Sequence, residues 1–217
     1  TIFSEIDGFP RFASAQHYAL FQNAVGLLLT QCYGEDIRII GEKSPDYMLY
    51  LKLLGCIFPD SRIIHIIRDG RDGAVSGWFH NMRVSKKWAE KSFGDLSGFA
   101  NNYAQIWVRN LRAGRDFGAE HPERYLKIKY EDLLNDGETH LKAMLRFLGA
   151  GTKKAVIRNW MESSNFRTLA KGRDSGEENR QYHFRKGVQG DWRTHFDDKI
   201  LAAFQSHTGW ELDDLGY

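Results

Sequence analysis

Cysteine is almost absent from this chain: Cys32 and Cys56 are the two thiols in 217 residues. Two cysteines build no disulfide framework, and their spacing is not that of a zinc site. Both sit in apolar surroundings and are expected to be buried free thiols. Long apolar runs are missing as well. The longest, Ala24 to Leu29, is six residues, whereas a membrane-spanning helix needs about 20. Charge of one sign is lacking too. Thirty Lys and Arg against 28 Asp and Glu leave a net charge of +2, which does not mark a nucleic-acid binder. There is no internal repeat and no linker between domains.

What is present suits one globular domain. Hydrophobic residues make up 42% of the chain and charged residues 27%, with length enough for a core. Residues 1–16 lack periodicity and read as loop. Tyr18, Phe21, Val25, Leu28 and Cys32 then share a helical face, with Gly34 as its stop. Ile37 to Gly41 reads as a short strand. Ser44 and Pro45 read as the cap and first turn of a helix ending at Pro59. Arg62 to Ile67 is short, β-branched and nearly continuous, the pattern of a strand buried on both faces of a parallel sheet. Val75, Trp78, Phe79 and Met82 form one helical stripe directly after it. Residues 83–97 are polar and read as a surface segment. Phe99, Tyr103, Ile106 and Trp107 predict a helix toward Phe117, and Tyr125 to Tyr130 alternates as a strand. Leu141, Met144, Leu145 and Leu148 mark the next helix, closed by Gly149. A helix near 152–162, a charged glycine- and serine-rich loop over 165–189, and a last helix through Ile200, Ala203, Phe204 and His207 complete the chain. Strands alternating with helices predict an α/β fold, a single domain with a parallel β-sheet flanked by helices.

The candidate chemistry gathers where strands end. Arg68-Asp69-Gly70 closes the β-branched run and passes straight into a helix, and ligands of open α/β sheets bind at that edge. Arg68 offers a planar donor fork suited to phosphate, and Ser76 a hydroxyl two helical turns on. The other reading is that Arg68, Asp69, Arg71 and Asp72 form solvated ion pairs. Glu42 and Lys43 stand where the earlier strand leaves the sheet. They are either a general base with a charge stabiliser or a structural pair at a helix start. Residues 153–193 hold ten Lys and Arg against five Asp and Glu, which suits an anionic ligand or a solvated face. Tyr130 and Trp192 read, on their own, as packing aromatics.

Four segments, in order, resemble those of sulfotransferases that use 3′-phosphoadenosine 5′-phosphosulfate (PAPS). Arg68-Asp69-x-x-Asp72-x-x-x-Ser76 resembles the family's 3′-phosphate segment, which assigns that phosphate to Arg68 and Ser76. Glu42-Lys43-Ser44-Pro45-x-Tyr47 is similar to a segment of heparan-type and many bacterial members, which assigns Glu42 as base and Lys43 as stabiliser. The histidine of cytosolic phenol and steroid sulfotransferases aligns with Pro45, so a histidine base at that point is ruled out. Arg124 to Leu134 resembles the strand that ends in Tyr-Glu-Asp-Leu and places Tyr130 near the adenosine. Phe184 to Phe196, FRKGVQGDWRTHF, is the most specific match and implies that Arg185, Lys186 and Gly187 grip the 3′-phosphate. Ser164 and Phe166 align with the Thr-x-Phe that touches adenine.

The resemblance covers about Ile37 to Tyr217 and implies a P-loop NTPase-like sulfotransferase fold over residues 1–217. It implies transfer of a sulfonate from PAPS to a hydroxyl or amine, leaving adenosine 3′,5′-bisphosphate (PAP), with no metal. The family's glycine-rich loop for the 5′-phosphosulfate has no counterpart in residues 1–36 and is expected to precede Thr1. The expected partner is a small-molecule, carbohydrate or lipid acceptor, with no nucleic acid and no membrane span, in the cytoplasm. Trp78, Phe79, Trp88 and Tyr182 are candidates for an apolar acceptor pocket, with core packing as the alternative. The rival functions are a non-catalytic PAP-binding module and a P-loop kinase.

Overall fold

The polypeptide divides into two compact units, residues 1–61 and 62–217, and the computed structural model describes residues 14–33 and 39–217. In the smaller unit, helix α1 (Ser14–Tyr33) is the helix expected from the Tyr18–Cys32 face. Ser44 caps the next helical segment, its hydroxyl accepting the Asp46 N–H at 3.3 Å. That segment is not one continuous helix. Pro45–Tyr50 is 3₁₀ and α2 (Leu51–Ile57) follows, because Tyr50 leaves helical geometry at φ −120° and ψ 15°. The expected strand at Ile37 to Gly41 falls partly outside the described residues, and residues 39–41 form none. Residues 1–13 of the expected opening loop also lie outside them. Cys32 and Cys56 are exposed, which corrects the expectation of buried thiols.

In the larger unit, the β-branched run forms β1 (Ile63–Ile67) and the alternating run forms β2 (Tyr125–Lys129). They pair in parallel, in register from Ile63 opposite Tyr125 to Ile67 opposite Lys129. Burial on both faces does not hold for β1. Ile67 is buried in the core while Ile66 is 48% exposed. Among the described residues β1 has one partner strand.

Between the strands run α3 (Gly70–Phe93) and α4 (Leu96–Glu120). Asp69 caps α3 by accepting the Arg71 N–H at 2.9 Å, and Asp95 caps α4 by accepting the Gly98 N–H at 3.0 Å. The segment 83–93, expected as surface loop, is helical and continues α3 past a break at Ser85. Its mixture of Lys, Glu and Ala is helix-forming, so polarity there marks a solvated helix face rather than a loop. Beyond β2 come α5 (Tyr130–Asn135), α6 (Gly137–Phe147), α7 (Lys154–Ser164) and the short α8 (Phe166–Leu169). A loop leads to a 3₁₀ turn at Asp191–Thr194, then α9 (Asp198–Thr208) and α10 (Glu211–Asp214). Among the described residues no helix is long and apolar enough to cross a membrane.

The core joins Ile67, Ala74, Ala104, Trp107, Val108, Leu111, Phe204 and Leu212. It fixes the start of α3 against α4 so closely that a Cβ on Gly73 would lie 2.5 Å from the Tyr103 hydroxyl. The C-terminus closes beneath the sheet. Tyr217 donates its hydroxyl to Glu131 at 2.7 Å, and Lys129 Nζ donates to the Leu215 carbonyl at 2.6 Å.

His65 shares its Nδ1 with the Tyr125 hydroxyl at 2.6 Å, across the two strands. Burial, helped by the charge of Lys127, pushes its pKa from 6.5 down to about 4. Between those values the unfolded chain takes up a proton that the folded chain excludes. Stability is therefore complete above pH 6.5 and drains as pH falls toward 4, by on the order of 2–3 kcal/mol. Urea unfolding at pH 7.5 and pH 5 is expected to show this loss in the wild type and a flatter dependence in His65→Asn. Equal slopes for the two proteins would show that His65 is not the titrating group.

Candidate functional site

Asp72 lies in the first turn of α3, 2% exposed, and both of its carboxylate oxygens are occupied by backbone donors from far along the chain. Oδ2 accepts the Gly190 N–H at 2.6 Å and Oδ1 the Trp192 N–H at 2.9 Å. Burial pushes its pKa up, against the pull of those two hydrogen bonds and of the Arg68 charge. Arg71 strengthens the same junction: it grips Asp69 at 2.8 Å and stacks on the Trp192 ring at 4.1 Å. The solvated-ion-pair reading of Arg68 to Asp72 therefore fails for Asp69, Arg71 and Asp72, all of which are buried.

The junction lays the loop 178–192 along one face of α3. Asp72, Ser76 and Phe79 stand at i, i+4 and i+7 on that face. Phe79 meets the Arg185 guanidinium at 4.6 Å, the Arg180 guanidinium at 4.7 Å and the His195 ring at 5.2 Å. Ser76, between Asp72 and Phe79, is half-buried on this face. The loop is held to itself by backbone bonds from Gly176 to Lys186 and from Asn179 to Arg185, each 2.8 Å.

Two of the candidate residues, Arg185 and Lys186, are brought together within the loop. Arg185 pairs with Glu178 and Asp191, and Lys186 reaches Asp191 at 2.6 Å. Burial alone would raise the Asp191 pKa, but the hydrogen bonds from Arg185 and Lys186 outweigh it and hold the carboxyl at about 2. Gly187 adopts φ +68°, and a Cβ there would come within 2.3 Å of the Phe166 ring. Glycine is required twice over, by the left-handed backbone and by Phe166. At the start of α3, Arg68 lies over the Tyr130 ring at 5.2 Å, and Glu131 accepts the Asp69 N–H at 3.0 Å.

The remaining candidates are placed differently. Ser164 is exposed and bonds back to the Trp160 carbonyl, so it is not drawn to the other residues. Glu42 and Lys43 belong to the smaller unit; both are exposed, and Glu42 accepts the Lys43 backbone N–H. Of the four aromatic acceptor candidates, Phe79 alone lies against the loop cations just described. Trp78 packs on Phe99, Trp88 on Phe93, and Tyr182 on Arg173. The sequence assigns no role to Asp191 or Glu131 and reads Asp72 as one of a set of solvated ion pairs, although all three stand inside the matched motifs.

The arrangement can hold an anion. The Nε–H groups of Arg68 and Arg185 are buried with no acceptor among the described residues. Buried donors are normally paired, and a phosphate would supply acceptors to both segments. Among the described residues no three His, Cys, Asp or Glu side chains group as metal ligands do.

Comparison with known proteins places these segments in a family context. The family model described as "Sulfotransferase family" matches residues 7–153. A "Flavonol sulfotransferase-like" protein of Flaveria bidentis is 28% identical over 179 residues, covering 70% of this chain and 57% of its own length. "Cytosolic sulfotransferase 1" of Arabidopsis thaliana is 26% identical over 150 residues, covering 62% of this chain and 45% of its own. The chain thus spans about half the length of the curated relatives it matches. Among solved structures, a mouse sulfotransferase complexed with PAP superposes with TM-score 0.56 at 22% identity, over 71% of this chain and 59% of that one. Retinol dehydratase in a complex with retinol and PAP gives TM-score 0.58 at 17% identity, over 89% and 62%. These likenesses establish the α/β fold.

Asp72→Asn tests the junction. Its amide group cannot accept on its nitrogen, so one buried N–H of the 190–192 turn loses its partner at a cost of about 1–3 kcal/mol. Urea unfolding should register that loss, and limited tryptic cleavage at Arg185 and Lys186 should accelerate. Unchanged unfolding and cleavage would mean that Asp72 does not hold the loop.

Proposed function

The chain belongs to the sulfotransferase family, and from that premise we propose that it transfers a sulfonate from PAPS to a hydroxyl or amine of a small-molecule acceptor, releasing PAP. The observation that carries this reading is the pair of buried, unpartnered arginine Nε–H groups, Arg68 and Arg185, on the two segments whose motifs match the family's 3′-phosphate clamp. Ser76, Lys186 and the Gly187 N–H join them as further donors, with Tyr130 and Phe166 framing the adenosine and Ser164 assigned there by its motif alone. Each arginine presents a planar fork that meets phosphate oxygens in parallel. Glu178 and Asp191 pair with Arg185 and Lys186, and an anionic phosphate would offset the positive charge that Arg68 adds.

The chemical step we propose is an in-line displacement. The acceptor oxygen or nitrogen forms its bond to sulfur as the bond from sulfur to the 5′-phosphate oxygen breaks. Glu42 takes the acceptor's proton, and Lys43 stabilises charge on the bridging oxygen. The Glu42-Lys43-Ser44-Pro45 motif supports these two roles. A small acceptor and a cytoplasmic location accord with the flavonol and cytosolic sulfotransferases among the relatives.

Calorimetric titration of the natural full-length protein with PAP and with 5′-AMP tests the clamp. PAP is expected to bind at least about tenfold tighter, the worth of one or two charged hydrogen bonds. Arg68→Ala should abolish that margin. Equal binding of the two nucleotides by the wild type would overturn the reading. For turnover, Glu42→Gln is expected to lower kcat by about 10²–10⁴-fold while leaving PAP affinity unchanged; PAP binding with no turnover in the wild type would leave a nucleotide-binding module.

A further inference from the structure

Seven residues beyond Ser76 on the same face of α3 stands Arg83, about 10 Å along the helix axis at 1.5 Å per residue. Its side-chain hydrogen bond, on the exposed side of the helix, is to a histidine, His80 Nδ1, at 3.1 Å, and His80 and His183 are both exposed. The His80 ring meets the ring of His183 edge to face, with centroids 6.0 Å apart, and His183 packs on Phe184 at 5.0 Å. Three basic side chains thus converge from α3 and from the clamp loop. The carboxylates of these segments are engaged elsewhere. Glu178 serves Arg180 and Arg185, Asp191 serves Arg185 and Lys186, and Glu90 pairs with Lys86. Among the described residues no carboxylate pairs with Arg83, His80 or His183.

Arg83 is thus a cation with imidazole rings beside it and no carboxylate partner among the described residues. The sign of the local field shows on His80, whose pKa lies below its ordinary value through burial, then through Arg83 and His183. The cluster adjoins the nucleotide clamp through one side chain: Phe79, next to His80 in sequence, carries Arg180 and Arg185 on its ring. Aromatic rings and uncompensated donors lie side by side, a combination that suits a ring-bearing anion.

We propose that Arg83, His80 and His183 form an anion subsite for the acceptor, so that the preferred acceptor carries a carboxylate or sulfate as well as the hydroxyl or amine that receives the sulfonate. This rests on the sulfotransferase reading. Arg83 supplies a bidentate fork, the histidines single N–H donors, and Phe79 with Phe184 the apolar flank. A neutral acceptor would leave the Arg83 charge unpaired, and that difference is the source of discrimination.

The test uses 2-naphthol, 6-hydroxy-2-naphthoate and a cationic aminomethyl-naphthol as probes. Each is titrated calorimetrically into the natural full-length protein saturated with PAP, as wild type, Arg83→Gln and His183→Gln. The anionic probe is expected to bind about tenfold tighter than the neutral one in the wild type, and the cationic probe weaker still. In either variant the preference should shrink to within about twofold, while PAP affinity stays at the wild-type value. A wild type that binds PAP without preferring the anion, or variants that keep the preference, overturns the subsite and leaves the sulfotransferase reading standing. Failure of the wild type to bind PAP overturns both.

Discussion

A single buried carboxylate holds the two halves of the site together. Asp72 belongs to the helix that starts at the sheet edge, and the N–H groups it accepts belong to a turn more than a hundred residues later. Neither half by itself carries all the residues proposed for the 3′-phosphate. The first supplies Arg68 and Ser76, the second Arg185, Lys186 and Gly187. A buried carboxylate with unpaired oxygens is costly, so the turn is held where both oxygens are satisfied. Once the Gly190–Trp192 turn is fixed, Trp192 stacks under Arg71 and Phe79 meets Arg185. The placement of the clamp loop follows from this one contact.

Charge is then distributed so that the proposed clamp has paired and unpaired donors. Asp191 and Glu178 hold Arg185 and Lys186 in place, which keeps the loop folded against its own repulsion. The buried Nε–H donors of Arg68 and Arg185 are left over. Pairing some donors and leaving others open is what distinguishes a preorganised anion site from a structural salt-bridge network, in which every donor has its acceptor.

Much of this was legible in the sequence because local pattern and tertiary role coincide there. The β-branched run before Arg68 is a strand, the Val75–Met82 stripe is a helix, and the alternating run before Tyr130 pairs in parallel with the first strand. Ser44 and Pro45 begin a helical segment as their chemistry requires. What escaped the sequence depended on distant partners. The polar segment 83–93 looked like loop because a solvated helix face and a loop share composition. Ile66 looked buried because β-branching does not report how many layers cover a strand. Asp72 and Asp191 stood in plain view inside their motifs, but a carboxylate among basic residues reads as a surface ion pair until its acceptor role is seen.

The separation of 118 residues between Asp72 and Gly190 also orders events in time. A chain emerging from the ribosome can form β1, α3 and α4 from contacts close in sequence, and β2 can pair with β1 soon afterwards. The clamp has to wait for Trp192, and then for closure of a loop longer than half the chain. Until that moment Asp72 has no acceptor role and stays hydrated at the helix start. The loop that carries Arg185 and Lys186 is therefore placed late in folding, after β1, α3, α4 and β2 have emerged.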